Sequence, residues 1–194
     1  MLLIQFILRR FIFVFMTPSF SNPSISIASV GDLAAITALL NRAYRGESSK
    51  EGWTHEEHLI DGEVRTNEET LQQLIQQENC ILLKYTNEEQ TIIGCVNLQQ
   101  HADRIYLGML SVSPKLQGGG VGKRLLKAAE EYALQFNCRA IYMTVISVRS
   151  ELIGWYKRHG YLDTGERKPF KEDSLTGKHL QPLEFMVMEK IISQ

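Results

Sequence analysis

A cluster of glycines between an apolar strand and a helix is the segment of the sequence best suited to bind a charged ligand. It runs from Gln117 to Lys123 and reads QGGGVGK. Glycines let backbone N–H groups approach a ligand without interference from a Cβ atom, and the N-terminus of the following helix adds partial positive charge. The segment therefore predicts an anion site, most often for phosphate.

Two nucleotide-binding patterns do not fit this cluster. A P-loop requires GxxxxGK(S/T), whereas Gln117 stands here at the first glycine and Arg124 at the Ser/Thr position. The dinucleotide pattern GxGxxG fails in both registers, because Lys123 or Leu125 stands where the third glycine should be. Both nucleotide interpretations are therefore excluded.

The pattern that does fit is Gln/Arg-x-x-Gly-x-Gly/Ala, the acyl-CoA pyrophosphate loop of the GNAT superfamily of N-acyltransferases, which this chain resembles. The residues LSVSP at 110–114 precede the loop at the family spacing. The segment WYKRHGY at 155–161 is similar to the family's helix end, aromatic-Tyr-x-x-x-Gly-aromatic. The predicted order of strands and helices also matches over most of residues 25–194.

The resemblance implies an α/β (α+β) fold, with a central mixed, mostly antiparallel, twisted sheet flanked by helices and a splayed strand pair that holds acyl-CoA. It also implies a ternary complex in which an amine attacks the thioester directly. The main chain of Leu110 and Val112 would pair with the pantetheine arm like an added strand. The residues expected around the pyrophosphate are Gln117, Gly118, Gly119, Gly120, Val121, Gly122 and Lys123.

Tyr156 is predicted to be the general acid that protonates the departing thiolate, the role that the resemblance implies for this position. A phenol suits this step, because a thiolate needs only a positioned donor. An aromatic ring packed between helix and sheet is the alternative. Many family members carry Asn and Ala seven and four residues earlier, where this chain has Arg149 and Leu152. This departure indicates cofactor-side contacts of its own.

The sequence leaves the general base open. An acceptor amine must lose a proton before it attacks. Relatives often place a glutamate on the strand before the loop, but residues 105–110 contain no carboxylate. Glu56, His58, His101 and Asp103 are the candidates, and for each the alternative is an ordinary surface role.

The acceptor site is expected along the polar loop of residues 45–69. Its eight acidic and three basic residues give a net charge of −5, which favours a cationic amine unless the acids are only solvated. The stretch 115–127 has four basic residues and no acidic one, which agrees with an anionic cofactor or with a solvated helix face. Tyr44, Trp53 and Glu56 are the predicted substrate-binding residues, Trp53 because exposed tryptophan is typical of binding sites.

Composition limits the class of protein. The chain has 194 residues, 44% of them hydrophobic, and a net charge of −1. These values suit one globular domain and argue against a nucleic-acid partner. Cys80, Cys95 and Cys138 form neither a disulfide framework nor a metal-binding pattern, so no metal is expected and a cytoplasmic location is favoured. A regular hairpin centred on Asn87 and Glu88 would bring Cys80 and Cys95 face to face.

Hydrophobic periodicity places the elements of the fold. Helices are predicted at 33–43, 70–77, 121–136 and 150–159, and strands at 24–28, 80–86, 91–99, 104–112, 140–145 and 183–190, with a further strand from Tyr161. This alternation predicts a mixed sheet with helices on its faces.

The first 16 residues are apolar but are divided by Arg9 and Arg10 into halves too short to span a membrane. A secretion signal and a peripheral anchor are alternatives to the interpretation preferred here, a start at Met16 or an appendage. Residues 1–23 are thus interpreted as an apolar leader and linker, and residues 24–194 as one N-acetyltransferase domain.

These features together predict an acyltransferase that moves an acetyl group from acetyl-CoA to a primary amine of a small molecule or a protein. One alternative is a CoA-binding protein of the same fold without transferase activity, acting as a sensor or structural subunit. Another is a protein anchored to a membrane by residues 1–16. The amine acceptor is the expected partner, a membrane is not, and a homodimer is compatible with the sequence.

Overall fold

A seven-stranded sheet forms the centre of the computed structural model, which describes residues 17–52 and 54–192. The strands are β1 (Ile25–Ile27), β2 (Ile60–Asp61), β3 (Cys80–Thr86), β4 (Ile92–His101), β5 (Arg104–Val112), β6 (Ala140–Ile146), β7 (Leu162–Pro169), β8 (Lys178–His179) and β9 (Glu184–Ile191). The helices are α1 (Leu33–Tyr44), α2 (Glu68–Ile75), α3 (Val121–Gln135) and α4 (Ser150–Arg158). The sheet order is β1-β3-β4-β5-β6-β9-β7, and β2 pairs separately with β8.

The parallel pair of strands in this sheet is β5 and β6, and the pair separates early. Their register covers only Arg104–Tyr106 against Ala140–Tyr142. Beyond these residues β5 stays paired with β4 on one side, and β6 with β9 on the other, both antiparallel. The two central strands therefore diverge and open a cleft in the middle of the sheet.

Alternate side chains of the strands enter two apolar cores, one on each face of the sheet. Leu82 and Cys95 point to one face, where they pack against α1 and against Leu71 of α2. Leu83 and Val96 point to the other face, which α3 covers. The predicted class, a mixed and mostly antiparallel sheet flanked by helices, is confirmed.

The β3–β4 hairpin has a different register from the one expected. Cys80 lies opposite Gln99, and Cys95 lies opposite Lys84, so the two thiols do not face each other. The turn is centred further along the chain, because the Asn87 N–H donates to the Thr91 carbonyl oxygen. The face-to-face prediction is therefore wrong. Cys80, Cys95 and Cys138 are buried and are not joined to one another by disulfide bonds.

The segment before β1 lies along α3. The backbone N–H groups of Ser19 and Ser21 donate to the side chains of Gln135 and Glu131, and Phe20 packs against the core. Part of the predicted linker thus contacts the domain, and the boundary at residue 24 stays a prediction. The predicted leader, residues 1–16, lies outside the described residues. Within the described part of the chain, no helix combines the length and the apolar character needed to cross a membrane.

Candidate active site

A bulge in β5 shapes the cleft where the central strands diverge. Gly108 is opposite Asn97 of β4, but Ser111 is opposite Cys95, so β5 has one more residue than β4 over this stretch. The extra residue bends the strand, and Met109 takes a left-handed conformation with φ of 53°. Since β6 has left this side of β5, the strand edge at 107–112 faces the cleft. It can therefore pair with an extended ligand.

Three adjoining cavities follow this edge. The inner cavity lies between the diverging strands and has a volume of about 170 Å³. The loop cavity, about 530 Å³, lies at the glycine cluster, and a connecting cavity of about 40 Å³ lies between them. The inner and connecting cavities share Leu110, Leu152 and Tyr156, and the connecting and loop cavities share Val112, Gln117, Gly122 and Trp155. The cleft therefore forms a channel from the glycine cluster to the interior of the sheet.

The glycine cluster forms the turn into α3. Gly118 and Gly120 have φ of 88° and 80°, values that side chains rarely permit, and Gly120 is the residue before the first turn of the helix. A Cβ atom at Gly118 would meet no protein atom within 4 Å, so this side of the turn is open to a ligand. The turn is held from behind by Gln117, whose side-chain amide donates to Thr54 Oγ1 at 3.1 Å and to the Val112 carbonyl at 3.3 Å.

Eight of the nine residues predicted to bind the cofactor line this channel. Leu110 lines the inner and connecting cavities, and the remaining seven line the loop cavity: Val112, Gln117, Gly118, Gly120, Val121, Gly122 and Lys123. Gly119 is not among the lining residues of the cavities; its carbonyl accepts a hydrogen bond from Arg124. The residue-level assignment to a cofactor stays a prediction.

The opposite wall of the loop cavity was not predicted from the sequence. It consists of one face of α4, with Glu151, Trp155, Arg158 and His159. The Trp155 ring packs close to Gly122, 3.4 Å from where a Cβ atom at that position would be. The centroid of the same ring lies 4.2 Å from that of the His159 ring. These residues recur at intervals of three and four, so helical spacing from Trp155 could have identified them.

The loop cavity suits an anionic, partly apolar ligand. The cavity is lined by the open backbone of the glycine turn at the N-terminus of α3 and by the basic residues Lys123 and Arg158. Glu151 is the single acid among its lining residues. Two of the four basic residues in the stretch 115–127 form ion pairs on the protein surface. Lys115 lies 3.8 Å from Glu51, and Lys127 lies 3.9 Å from Glu131. The remaining positive charge fits a pyrophosphate group.

Tyr156 stands where the connecting cavity meets the inner cavity. It is the seventh residue of α4, its ring contacts Trp155 edge-on, and it is 6% exposed. Burial raises the pKa of this phenol well above its ordinary value, because the phenolate would lose its hydration. Tyr156 therefore keeps its proton at neutral pH and is available as a donor.

An ionic cluster lies beside the inner cavity, and three of its members, Glu56, Arg65 and Arg149, line that cavity. Glu56 Oε2 lies 2.9 Å from Arg45 Nη1, and Glu56 Oε1 lies 3.4 Å from Arg149 Nη1. Arg65 Nε is 4.0 Å from the same carboxylate. The Arg149 guanidinium also donates to the Thr54 carbonyl at 3.1 Å. Glu56 is thus the centre of a group of three arginines contributed by three separate segments.

Tyr44 closes the inner cavity from α1. Its hydroxyl donates to the Leu110 carbonyl at 3.1 Å, and the Arg65 guanidinium lies 5.5 Å from its ring centroid. Burial, and then the nearby Glu56 carboxylate, raise its pKa. The structure therefore brings the predicted residues Tyr44 and Glu56 to the same cavity as Tyr156. The third predicted acceptor residue, Trp53, lies outside the described residues.

The four candidates for the general base differ in their positions relative to the inner cavity. His101 and Asp103 lie at the β4–β5 turn, about 20 Å along β5 from Leu110 at the rise of an extended strand. Asp103 pairs there with Arg139 at 2.6 Å. His58 is exposed and does not line the inner cavity, whereas Glu56 does. Glu56 is therefore the candidate that has access to the cavity.

Two expectations about the acceptor side do not agree with the structure. Of the eight acids in residues 45–69, Glu56 is the one among the lining residues of the inner cavity, which also include Arg65 and Arg149. Several others pair with surface lysines, Glu47 with Lys50 and Glu51 with Lys115. The prediction of an acidic rim is therefore wrong for this cavity, because the loop folds with most of its acidic side chains facing outward.

The second correction concerns Arg149. Its sequence position predicted contacts on the cofactor side, but its side chain points to the inner cavity and Glu56. Phe170 and Phe185, whose stacked rings lie 4.3 Å apart by centroid, form the far wall and were not predicted at all. They come from segments near the end of the chain, so their meeting with this site depends on tertiary structure.

The diverging strands, the bulged β5 edge and the glycine turn at a helix N-terminus define the chain as an acyltransferase of the kind that the sequence resembles. The sequence profile of the Acetyltransferase (GNAT) family matches residues 33–161. The chain therefore belongs to the GNAT acetyltransferase family.

Solved structures agree on the fold. The ribosomal-protein-alanine N-acetyltransferase from Brucella melitensis has a TM-score of 0.63 and 19% identity, covering 86% of this chain and 98% of that one. An N-acetyltransferase from Staphylococcus aureus has a TM-score of 0.64 and 14% identity, covering 89% of this chain and 100% of the other. At such identities the likeness is one of fold.

A curated relative matches a shorter stretch. The spermine/spermidine N(1)-acetyltransferase of Bacillus subtilis is 30% identical over 64 residues, which make up 32% of this chain and 42% of the relative. The chain thus matches less than half the length of that enzyme, and the polyamine specificity in its name belongs to that enzyme.

Proposed function

We propose that this protein is an acetyl-CoA-dependent N-acetyltransferase that acetylates a primary amine by direct attack within a ternary complex. The observation that carries the proposal is the position of Tyr156, a buried proton donor at the point where the cofactor channel opens into the inner cavity. Family membership supports acetyl transfer as the reaction.

The channel supplies a place for each part of the co-substrate. The glycine turn, Lys123 and Arg158 would hold the pyrophosphate, and the open edge of β5 at 107–112 would pair with the pantetheine arm. Acetyl-CoA supplies the acetyl group as a thioester. A metal is not needed for this chemistry, and the described residues contain no cluster of three or more His, Cys, Asp or Glu suited to bind one.

Tyr156 acts as the general acid. As the amine nitrogen forms its bond to the acetyl carbon and the carbon–sulfur bond breaks, the phenol gives its proton to the departing sulfur. Burial disfavours the charged phenolate, so Tyr156 regains a proton from water as the products leave. The step therefore converts a thioester and an amine into a thiol and an amide, with no other reactant.

The amine must lose one proton before or during attack. Both oxygens of Glu56 already have arginine partners, so we assign to Glu56 the role of holding Arg45 and Arg149 in place. The proton then leaves through water at the mouth of the inner cavity. In this proposal the amino group of the acceptor lies next to Tyr156, which lines the same cavity.

Release of free thiol from acetyl-CoA tests the proposal when it is followed with a panel of amines. We expect amine-dependent release with the unaltered protein and at least about a hundredfold lower kcat for Tyr156→Phe. Tyr161→Phe is a matched control, because Tyr161 contacts Tyr156 but does not line any of the three cavities. Binding of CoA without turnover for any amine would contradict the proposal and favour a CoA-binding protein without transferase activity.

A further inference from the structure

The inner cavity has more positive charge than its lining carboxylate can balance. Arg65 and Arg149 line the cavity with Glu56, and Arg45, which is not a lining residue, also pairs with Glu56, so the cluster of four has a net charge of +2. Arg45, Arg149 and Glu56 are 3%, 5% and 6% exposed, and water screens charges at such positions poorly. The cavity therefore attracts an anionic group.

The neighbouring acids do not cancel this excess. Burial alone would raise the pKa of Asp173, but the hydrogen bonds that it accepts from Thr176 and Leu175, and the nearby Arg65 guanidinium, lower it. Counting Asp173 still leaves a charge of +1. On the Arg45 side, Nε and Nη2 are buried and have no hydrogen-bond partner among the described residues. The Arg45 guanidinium thus has donors that the Glu56 carboxylate does not satisfy.

The charge lies within reach of the reacting end. Arg149 directly precedes α4, and Tyr156 follows seven residues later, about 10 Å along the same face of the helix. Both residues and Arg65 line the one inner cavity of about 170 Å³. A single small molecule can therefore contact the arginines at one end and approach Tyr156 at the other.

We propose that the acceptor is a small amine that also bears a carboxylate, which Arg65 and Arg149 bind while the amino group is presented beside Tyr156. The assignment rests on the proposed acetyl transfer and names its acceptor class. A guanidinium suits a carboxylate, because its planar fork can donate two parallel hydrogen bonds. A polyamine has the wrong sign of charge for this cavity, since its additional ammonium groups would face a net positive cluster.

Matched acceptors test the carboxylate directly. Each α-amino acid in the panel is compared with its carboxamide, which has nearly the same shape but lacks the negative charge, and spermidine is included as a polycation. We expect kcat/KM to be at least about tenfold higher for the acid than for its amide, and lowest for spermidine. Equal values, or a preference for amides or spermidine, would overturn the inference.

Substitutions of the arginines test which groups bind the carboxylate. Arg65→Gln should lower the acid-to-amide ratio of kcat/KM about tenfold, and Arg65→Lys should recover part of that ratio. Arg65 is only partly buried, so the Arg65→Gln protein should fold. Arg149→Gln tests the second arginine proposed to bind the carboxylate, at a buried position. Arg139→Gln removes the same charge directly before β6, where Arg139 pairs with Asp103 of the distant β4–β5 turn, and should leave the ratio unchanged. An equal loss for acid and amide in Arg65→Gln would overturn the assignment of that residue.

Binding measurements separate this inference from the proposed reaction. Calorimetry with CoA present gives the affinities of each acid and its amide without any turnover. At least about tenfold tighter binding of the acid supports the anionic acceptor site even if no amine is acetylated, a result that would contradict the transferase proposal alone. Acetylation of neutral amines, with no preference for the acid in binding or rate, would refute the anionic site and leave the transferase proposal intact.

Discussion

Arg149 and Glu56, which are 93 residues apart in the sequence, meet in the inner cavity with Nη1 of the arginine 3.4 Å from Oε1 of the glutamate. The same guanidinium holds the Thr54 carbonyl, and the Thr54 hydroxyl accepts a hydrogen bond from Gln117 at the glycine turn. The start of α4, the loop after α1 and the glycine turn are therefore tied together. These contacts link the inner cavity to the glycine turn of the loop cavity.

The first prediction concerns the stability of this cluster. Glu56→Gln should lower the free energy of unfolding by about 3–5 kcal/mol, because Arg45 and Arg149 lose their buried counter-charge. Denaturant unfolding followed by circular dichroism measures the change. The neighbouring Glu57→Gln removes only a surface pair with Lys50 and should unfold like the unaltered protein. Equal stability of Glu56→Gln and Glu57→Gln would show that the cluster does not hold the loop.

The second prediction concerns the acid role of Tyr156. Tyr156→Phe should lower kcat by about a hundredfold or more, because the departing sulfur loses its proton donor. The KM for acetyl-CoA should stay within about twofold, since the ring and its contact with Trp155 remain. Steady-state thiol release at saturating amine gives both values. Loss of affinity with kcat preserved would instead assign Tyr156 to packing.

The third prediction is a pH profile. Burial raises the pKa of Tyr156 well above its ordinary value, so the phenol should stay protonated as the pH rises. Activity should accordingly increase with pH as the acceptor amine loses its proton, and should not decline up to about pH 10, the ordinary pKa of tyrosine. Initial rates between neutral and alkaline pH test this shape. A descending limb centred near pH 8 or 9, in protein that stays folded, would be incompatible with Tyr156 as a buried acid.

The fourth prediction concerns the glycine turn. Gly120→Ala places a Cβ atom at φ of 80°, at a cost of about 1–2 kcal/mol, and should weaken CoA binding about tenfold as the turn relaxes to another conformation. Gly165→Ala is the matched control, because Gly165 has φ of 84° and open space around it but lies in β7. Calorimetric titration with CoA should show the loss for Gly120→Ala alone. A similar loss in both variants would indicate a general effect of backbone strain.

Local patterns were enough to predict the framework of the site. The glycine turn, the LSVSP strand end and Tyr156 are contiguous signals, and each lies where the fold forms the channel. The hairpin register was not accessible in this way, since the turn depends on the Asn87–Thr91 pair and on Gln90 at φ of 61°. A non-glycine residue in that conformation is not apparent from composition.

The acceptor side shows the limit of reasoning from charge counts along the chain. Residues 45–69 have a net charge of −5, yet the cavity receives Arg65 and Arg149 while most of the acids face outward. Which side chains turn inward depends on the path of the loop, which Asn41 fixes by accepting hydrogen bonds from the Arg65 and Thr66 N–H groups. Such long-range contacts determine the sign of the charge in the cavity, and linear charge patterns do not contain them.

The most direct test of the central claim is to measure both products of one reaction. Acetyl-CoA is incubated with the protein and an amine, and free thiol and acetylated amine are quantified together by mass spectrometry. Transfer by direct attack predicts equal amounts of the two products, formed only when both substrates are present and at least about a hundredfold more slowly by Tyr156→Phe. Thiol released without a matching acetylated amine, or no acetylated product from any acceptor despite CoA binding, would contradict the account.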